Sequence, residues 1–207
     1  MNALTIEDIR LALARPLPGL AAQVRLAPPY RIEQLYQAPP ADARPAGVLI
    51  ALYPYRDALY FPLTRRTDHL DSHKGQISLP GGRQEPGESL LDTALRETWE
   101  EIGASIDPAW VLGTLSPLYV PPSGFLITPF VAALPERPRF APVEYEVAEL
   151  IETPITALLD PAIVRSEVWT LRDLEIEAPF FQIGPHKVWG ATAMVLSEFA
   201  AVIGGSS

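Results

Sequence analysis

The chain has 207 residues, enough for one domain of the usual size, roughly 150 residues, with appendages. Apolar residues make up 48% of it, yet no uninterrupted apolar run approaches the roughly 20 residues of a membrane-spanning helix, which excludes a helical membrane protein. Sixteen Lys and Arg against twenty-five Asp and Glu leave a net charge of −9, which opposes a nucleic-acid backbone as partner, and the absence of cysteine excludes disulfides, a thiolate nucleophile and a Cys-based zinc site.

Residues 1–10 lack a basic stretch followed by an apolar one, so the cytoplasm is the expected compartment. Thr5 to Ala14 predicts a short amphipathic helix, with Ile6, Ile9, Leu11, Leu13 and Ala14 apolar, Glu7 and Asp8 at its start, and Pro16 and Pro18 as its stop. Residues 16 to 46 read as an extended arm, rich in Pro and Ala, that wraps a domain running from 47 to 203. Gly47 to Tyr53 and Ala58 to Thr64 predict a β-hairpin, and Gln76 to Leu79 a short strand entering a turn at Pro80, Gly81 and Gly82.

Ser89 to Ile102 carries the strongest helical pattern. Ser89 and Asp92 form a capping-box pair, Leu91, Leu95, Thr98 and Ile102 make the expected buried stripe, and Gly103 ends it. Strands are expected at Trp110 to Tyr119, Phe125 to Leu134, Val147 to Thr153, Val168 to Leu171 and Phe180 to Ile183, with a short helix at Ile155 to Leu159. Ala191 to Val202 predicts a closing helix facing inward through Met194, Val195, Phe199 and Val202. Strands interleaved with two main helices and no internal repeat point to an α/β (α+β) layered domain with a mixed sheet.

At 100° per residue, Glu97, Glu100 and Glu101 fall on one face of the 89–102 helix, away from Leu91 and Leu95. Carboxylates so close repel one another unless a cation lies between them, and hard Mg²⁺ or Mn²⁺ prefers such oxygens, keeping waters and completing its shell with substrate phosphates. An acidic face alone is also what an ordinary solvated helix shows. The surrounding residues are more specific: Gly82, Glu88, Arg96, Glu97, Glu100, Glu101 and Gly103 stand in the register G-x5-E-x7-R-E-x-x-E-E-x-G.

That register resembles the signature of the Nudix hydrolase family. The resemblance implies an α/β/α sandwich in which a strand-loop-helix holds Mg²⁺ or Mn²⁺ against the diphosphate of a nucleoside diphosphate derivative. It implies metal binding by Glu97, Glu100 and Glu101, with Glu97 and Glu101, one turn apart, as the direct ligands. It further implies a water-mediated or supporting role for Glu88, a salt bridge from Arg96 that fixes a glutamate, and a loop position for Gly82. By the same resemblance, the base that takes a proton from the attacking water is Glu97 or a glutamate outside the 82–103 register, the Nudix box, with Glu144, Glu146 and Glu149 as candidates and Glu146 preferred.

Upstream, Thr64, Arg66, Gly75, Pro80, Gly81 and Gly82 are similar to the second motif of the coenzyme A pyrophosphatase subfamily, L-L-T-x-R-[SA]-x3-R-x3-G-x3-F-P-G-G. This implies cleavage of CoA or acyl-CoA to 3',5'-ADP and (acyl-)4'-phosphopantetheine. Arg65, Arg66 and Lys74 form the nearby basic cluster suited to phosphate, with Gly81 and Gly82 at the diphosphate. The sequence departs from the motif at Asp71, where an arginine is expected, and at Pro62, Thr67 and Leu79. Residues 121 to 125 also resemble the subfamily, with Phe125 expected to line the substrate pocket, as does Trp189 at the last helix. ADP-ribose, NADH or a dinucleoside polyphosphate is the alternative substrate, and a catalytically silent ligand sensor the alternative class. A small CoA-like molecule is the expected partner, with no nucleic acid and no membrane, and the Pro-rich arm is a segment able to cross to a second subunit of a homodimer.

The excess charge is localised. Residues 88–101 hold five acids against Arg96, and residues 143–152 hold Glu144, Glu146, Glu149 and Glu152 with no base.

Overall fold

A computed structural model describes residues 4–67, 75–171 and 174–205. Helix α1 (Ile6–Leu13) is capped by Thr5, whose side chain accepts from the Asp8 N–H while Asp8 answers to the Thr5 N–H. Short helices α2 (Leu20–Gln23) and α3 (Ile32–Leu35) follow, so residues 16 to 43 are not extended as the prolines suggest. Pro29 instead opens a 3-10 turn, where its missing N–H costs nothing.

Strands β1 (Arg44–Tyr55) and β2 (Ala58–Arg66) form the expected hairpin, turning through Arg56 and Asp57 at φ 47° and 62°. Two consecutive left-handed residues match a two-residue turn to the right-handed twist of the strands. Next come β3 (Ile77–Ser78), β4 (Gly81–Arg83), α4 (Leu90–Ile102), β5 (Val111–Thr114), β6 (Leu118–Val120), β7 (Phe125–Ala133) and β8 (Val147–Pro154). Gly81 and Gly82 thus belong to a strand, paired with Val48 and Gly47, rather than to a free turn. The single strand expected over Trp110 to Tyr119 is divided into β5 and β6.

β1 runs parallel to β7 from Arg44↔Phe125 to Leu52↔Ala133, while its pairings with β2 and β4 are antiparallel. The sheet is therefore mixed, in the order β3-β2-β1-β7-β5, with β4, β6 and β8 attached to β1, β7 and β2. Side chains of β1 alternate between two cores. Leu49, Ala51 and Tyr53 pack with Ala94 of α4, and Ile50 and Leu52 pack with Phe61, Leu63, Val131 and the last helix, α5 (Gly190–Ile203). Burial on both faces explains why β1 reads as a continuous apolar run. The helices on opposite faces of the sheet make it an α/β/α sandwich.

Helix α4 keeps its expected limits, with Ser89 as N-cap and Gly103 as the left-handed C-terminal residue at φ 71°. Its buried line meets expectation at Thr98 and Ile102 and departs from it at Leu91 and Leu95. Thr93, Ala94, Thr98, Glu101 and Ile102 are buried, whereas Leu91 and Leu95 are only half-buried. The cause is close approach: a Cβ on Gly47 would lie 2.3 Å from the Leu90 carbonyl oxygen, so small residues must face the sheet.

β9 (Val164–Leu171), β10 (Leu174–Ile183) and β11 (His186–Trp189) form a separate antiparallel sheet, longer than the segments expected from sequence. α5 buries Met194, Val195, Phe199 and Val202 as expected, and also Glu198, which is 0% exposed. Glu198 accepts hydrogen bonds from the N–H groups of Gly19 (3.1 Å) and Ser116 (3.2 Å) and from Gln23 Nε2 (2.8 Å), tying the N-terminal arm to the core. Among the described residues no helix is long and apolar enough to cross a membrane.

Candidate active site

The site is assembled where β4 meets α4. Gly81 has φ 148°, and a Cβ there would lie 2.6 Å from the Val48 Cα, so the residue must be glycine for the strand to lie against β1. At Gly82 an added Cβ would lie 2.4 Å from the Glu97 carboxyl carbon, which makes the bare backbone the floor beneath that carboxylate. Glu97 and Glu101, one turn apart, both face this floor.

Arg96 organises the acids around it. Its Nε and Nη2 grip both oxygens of Glu88 (3.1 and 2.8 Å), and Nη1 reaches Glu97 Oε1 and Glu100 Oε2, each at 2.9 Å. The bidentate hydrogen bonds from Arg96 hold the Glu88 carboxyl down to about 2, assisted by the Glu85 N–H and the Thr93 hydroxyl. Glu100 is turned toward Arg96 and solvent. Glu97 is half-buried, and desolvation raises its carboxyl above the ordinary value against the opposing pull of Arg96.

Glu101 is buried, and desolvation first, then the neighbouring Glu97 charge, pushes its carboxyl up to about 8. Arg66 Nη1 lies 3.8 Å away, and a backbone hydrogen bond from Gly81 also opposes the shift. Glu101 Oε2 and Arg66 Nε are buried polar atoms with no hydrogen-bond partner among the described residues. A buried carboxylate oxygen without a donor is costly unless a cation or a water meets it. Among the described residues no three His, Asp or Glu side chains converge on one point as a ready-made cage. Two carboxylates plus waters and substrate oxygens nevertheless suit a hard divalent ion such as Mg²⁺.

The second acidic segment does not act as a block. Glu146, exposed on a turn beside Thr67, lies near enough for its charge to raise both Glu97 and Glu101. Glu144 is exposed. Glu149 is paired with Arg65 (3.5 Å) and His186 (3.2 Å), and Glu152 is gripped by Arg137 (2.7 and 2.8 Å) and Tyr53 (2.8 Å).

Beside the glycines opens a cavity of about 220 Å³. Arg66, Gly81 and Gly82 line one end, and Ile77, Val120, Phe125, Ile127, Trp189 and Val195 form an apolar wall. Phe125, the residue expected at the substrate pocket, lines this cavity, and so does Trp189. Arg65 is not among its lining residues, because adjacent strand residues point to opposite faces. Lys74 and Asp71 lie outside the described residues, as do His69 and His73. Sequence reasoning missed Arg44, whose guanidinium lies 4.2 Å from the Phe125 ring centroid and donates to the Ser123 carbonyl, bracing the loop at the cavity rim. Trp189 is held in turn by an edge contact with Trp169 at 5.1 Å. A larger cavity, about 470 Å³, lies at the far end of α5 between Arg25, Asp160 and Phe181, away from the box glutamates.

A match to the NUDIX domain spans residues 43–162, from the start of β1 to the turn before β9, and the chain belongs to that family. An uncharacterized Nudix hydrolase, NudL, of Yersinia enterocolitica is 42% identical over 127 residues, which are 59% of this chain and 64% of that relative's length. The protein of the same name from Yersinia pestis is 35% identical over 161 residues, 77% of this chain and 80% of the relative. A MutT/nudix family protein of known crystal structure from Enterococcus faecalis superposes with a TM-score of 0.50 at 18% identity, over 98% of this chain and 73% of that one, a likeness of fold.

Proposed function

We propose that the protein is a divalent-metal-dependent hydrolase that cleaves the diphosphate of CoA or acyl-CoA to 3',5'-ADP and (acyl-)4'-phosphopantetheine in the cytoplasm. The observation that carries the hydrolase reading is the unpartnered, buried Glu101 Oε2 beside Glu97 on the glycine floor. A divalent ion bound there would neutralise diphosphate oxygens and make water a better nucleophile toward phosphorus. Glu97 and Glu101 would hold it, with Glu88 and Arg96 keeping Glu97 in place and Glu100 completing the acidic rim.

Arg66 at the cavity end offers its guanidinium to a phosphate oxygen, and Gly81 and Gly82 let the diphosphate approach the backbone. Glu146, exposed and close to both central glutamates, is the group we assign to accept the proton of the attacking water. The wall of Phe125, Trp189, Ile127 and Val195 gives an uncharged, flexible arm a place to lie, which supports pantetheine as the group beyond the diphosphate.

The test is product analysis with CoA, ADP-ribose, NADH and diadenosine polyphosphates, in Mg²⁺ and separately in Mn²⁺. The expected products from CoA are 3',5'-ADP and 4'-phosphopantetheine. Intact CoA alongside cleavage of another diphosphate would overturn the substrate and keep the hydrolase. Glu101→Gln should lower kcat by at least about a thousandfold with the helix still folded; an active variant would remove Glu101 from the site.

A further inference from the structure

β9 closes the three-stranded sheet and pairs only with β10 among the described residues. An edge strand presents unpaired N–H and C=O groups, and proteins blunt such edges with proline, a bulge or charged side chains, lysine above all. β9 runs from Val164 to Leu171 without Pro, Lys or a bulge, in unbroken register with β10, and its two charges, Arg165 and Glu167, are of opposite sign and so do not bar a second copy. All five residues from Val164 to Val168 are exposed. Val164 at 47% and Val168 at 67% are the only exposed large apolar side chains on any strand among the described residues.

We propose that this edge pairs with the same edge of a second copy of the chain, antiparallel about Ser166. A two-fold pairing of identical strands must be centred on a residue, because only then do the outward-pointing backbone groups of one copy meet those of the other. Among the residue-centred registers on this strand, the one on Ser166 alone satisfies both features of the edge. It sets Val164 opposite Val168 and Arg165 opposite Glu167, so exposed apolar groups cover each other and opposite charges face. Centring on Val168 would oppose Glu167 to Trp169, and centring on Glu167 would oppose Arg165 to Trp169. The second copy would join two three-stranded sheets into one of six strands.

Sedimentation equilibrium of the full chain across a concentration series tests this, with a mass of twice 22.7 kDa expected at the upper concentrations. Arg165→Glu should weaken dimerisation about tenfold or more by placing like charges opposite each other, and so should Glu167→Arg. Glu167 also bonds Lys187 in its own chain, so the decisive variant is the exchange Arg165→Glu with Glu167→Arg, which should restore the wild-type association. A monomer throughout, or a dimer indifferent to all three variants, would overturn the proposal. A second measurement needs almost no change to the surface. Because the chain has no cysteine, Ser166→Cys introduces a single thiol that should cross-link to its own copy under mild oxidation. Thr170→Cys, on the same strand face but about 25 Å from its own copy in this register, should not. Equal cross-linking at both positions, or at neither, counts against the Ser166 axis.

Discussion

Gly82 shows how one absent side chain serves the chemistry rather than the fold. Its added Cβ would strike only the end of the Glu97 side chain, which can swing away at little cost. Gly82→Ala is therefore expected to leave Tm within about 2 °C while lowering kcat roughly a hundredfold, because Glu97 leaves the glycine floor. A large loss of Tm with unchanged kcat would show that the contact is purely structural. Glu152 behaves in the opposite way, tied to Arg137 and Tyr53 and remote from the cavity. Hydrogen bonding by Arg137 holds its carboxyl below the ordinary 4.5. Its pairing stabilises the folded chain above that value, and the contribution is lost as pH falls through the lowered folded-state value. Glu152→Gln should thus cost about 1 kcal/mol at pH 7 and progressively less on acidification, a convergence that urea titrations between pH 3 and 7 would reveal. A gap that does not narrow in acid would place the cost of the substitution in packing instead.

At the scale of elements, the union of β1 and α4 depends on Gly47. Its Cβ position lies 2.3 Å from one backbone atom and 3.1 Å from another, neither of which can move alone. Gly47→Ala should cost roughly 3 kcal/mol, measured as a lower urea midpoint with unchanged slope, since the helix must lift from the sheet. The limits of α4 were legible in the sequence because Ser89, Asp92 and Gly103 act through local hydrogen bonds and backbone conformation. Its buried line was legible in part. Thr98 and Ile102 are buried as expected, but a helix resting on a bare glycine turns small Ala94 to the sheet in place of the more apolar Leu91 and Leu95. β9 was under-read because polar residues fall on both of its faces, Arg165 and Glu167 on one and Ser166 and Thr170 on the other, whereas the start of β10 does alternate, with Ile176 and Ala178 buried between exposed Glu175 and Glu177, a strand signal that was there to be read.

Across the whole molecule, Glu198 joins parts of the chain that are far apart in sequence. Its buried carboxylate gathers donors from Gly19, Gln23 and Ser116, and nearby the Ser197 hydroxyl donates to the Ala22 carbonyl (2.7 Å). Glu198→Ala should cost about 3 kcal/mol by leaving those donors unpaired, and trypsin should then cut the arm at Arg25 or Arg31 before the rest of the domain. Uniform cleavage along the chain would show instead that the arm and the domain unfold together.

By itself the sequence determined the box and its helix, because periodicity, capping and a fixed spacing of glutamates act within about 20 residues, while the sandwich around them was implied by the resemblance to the Nudix family. Only the tertiary structure decided which charges share a space. Arg66 reaches Glu101 while adjacent Arg65 is drawn to Glu149, and of the glutamates between 144 and 152 it is Glu146 whose charge bears on the central pair. The apolar wall likewise draws on β3, β6, β7, β11 and α5, far apart along the chain. Strand alternation can say that two neighbours point apart, but which side faces the cavity follows from how the sheet and helices pack.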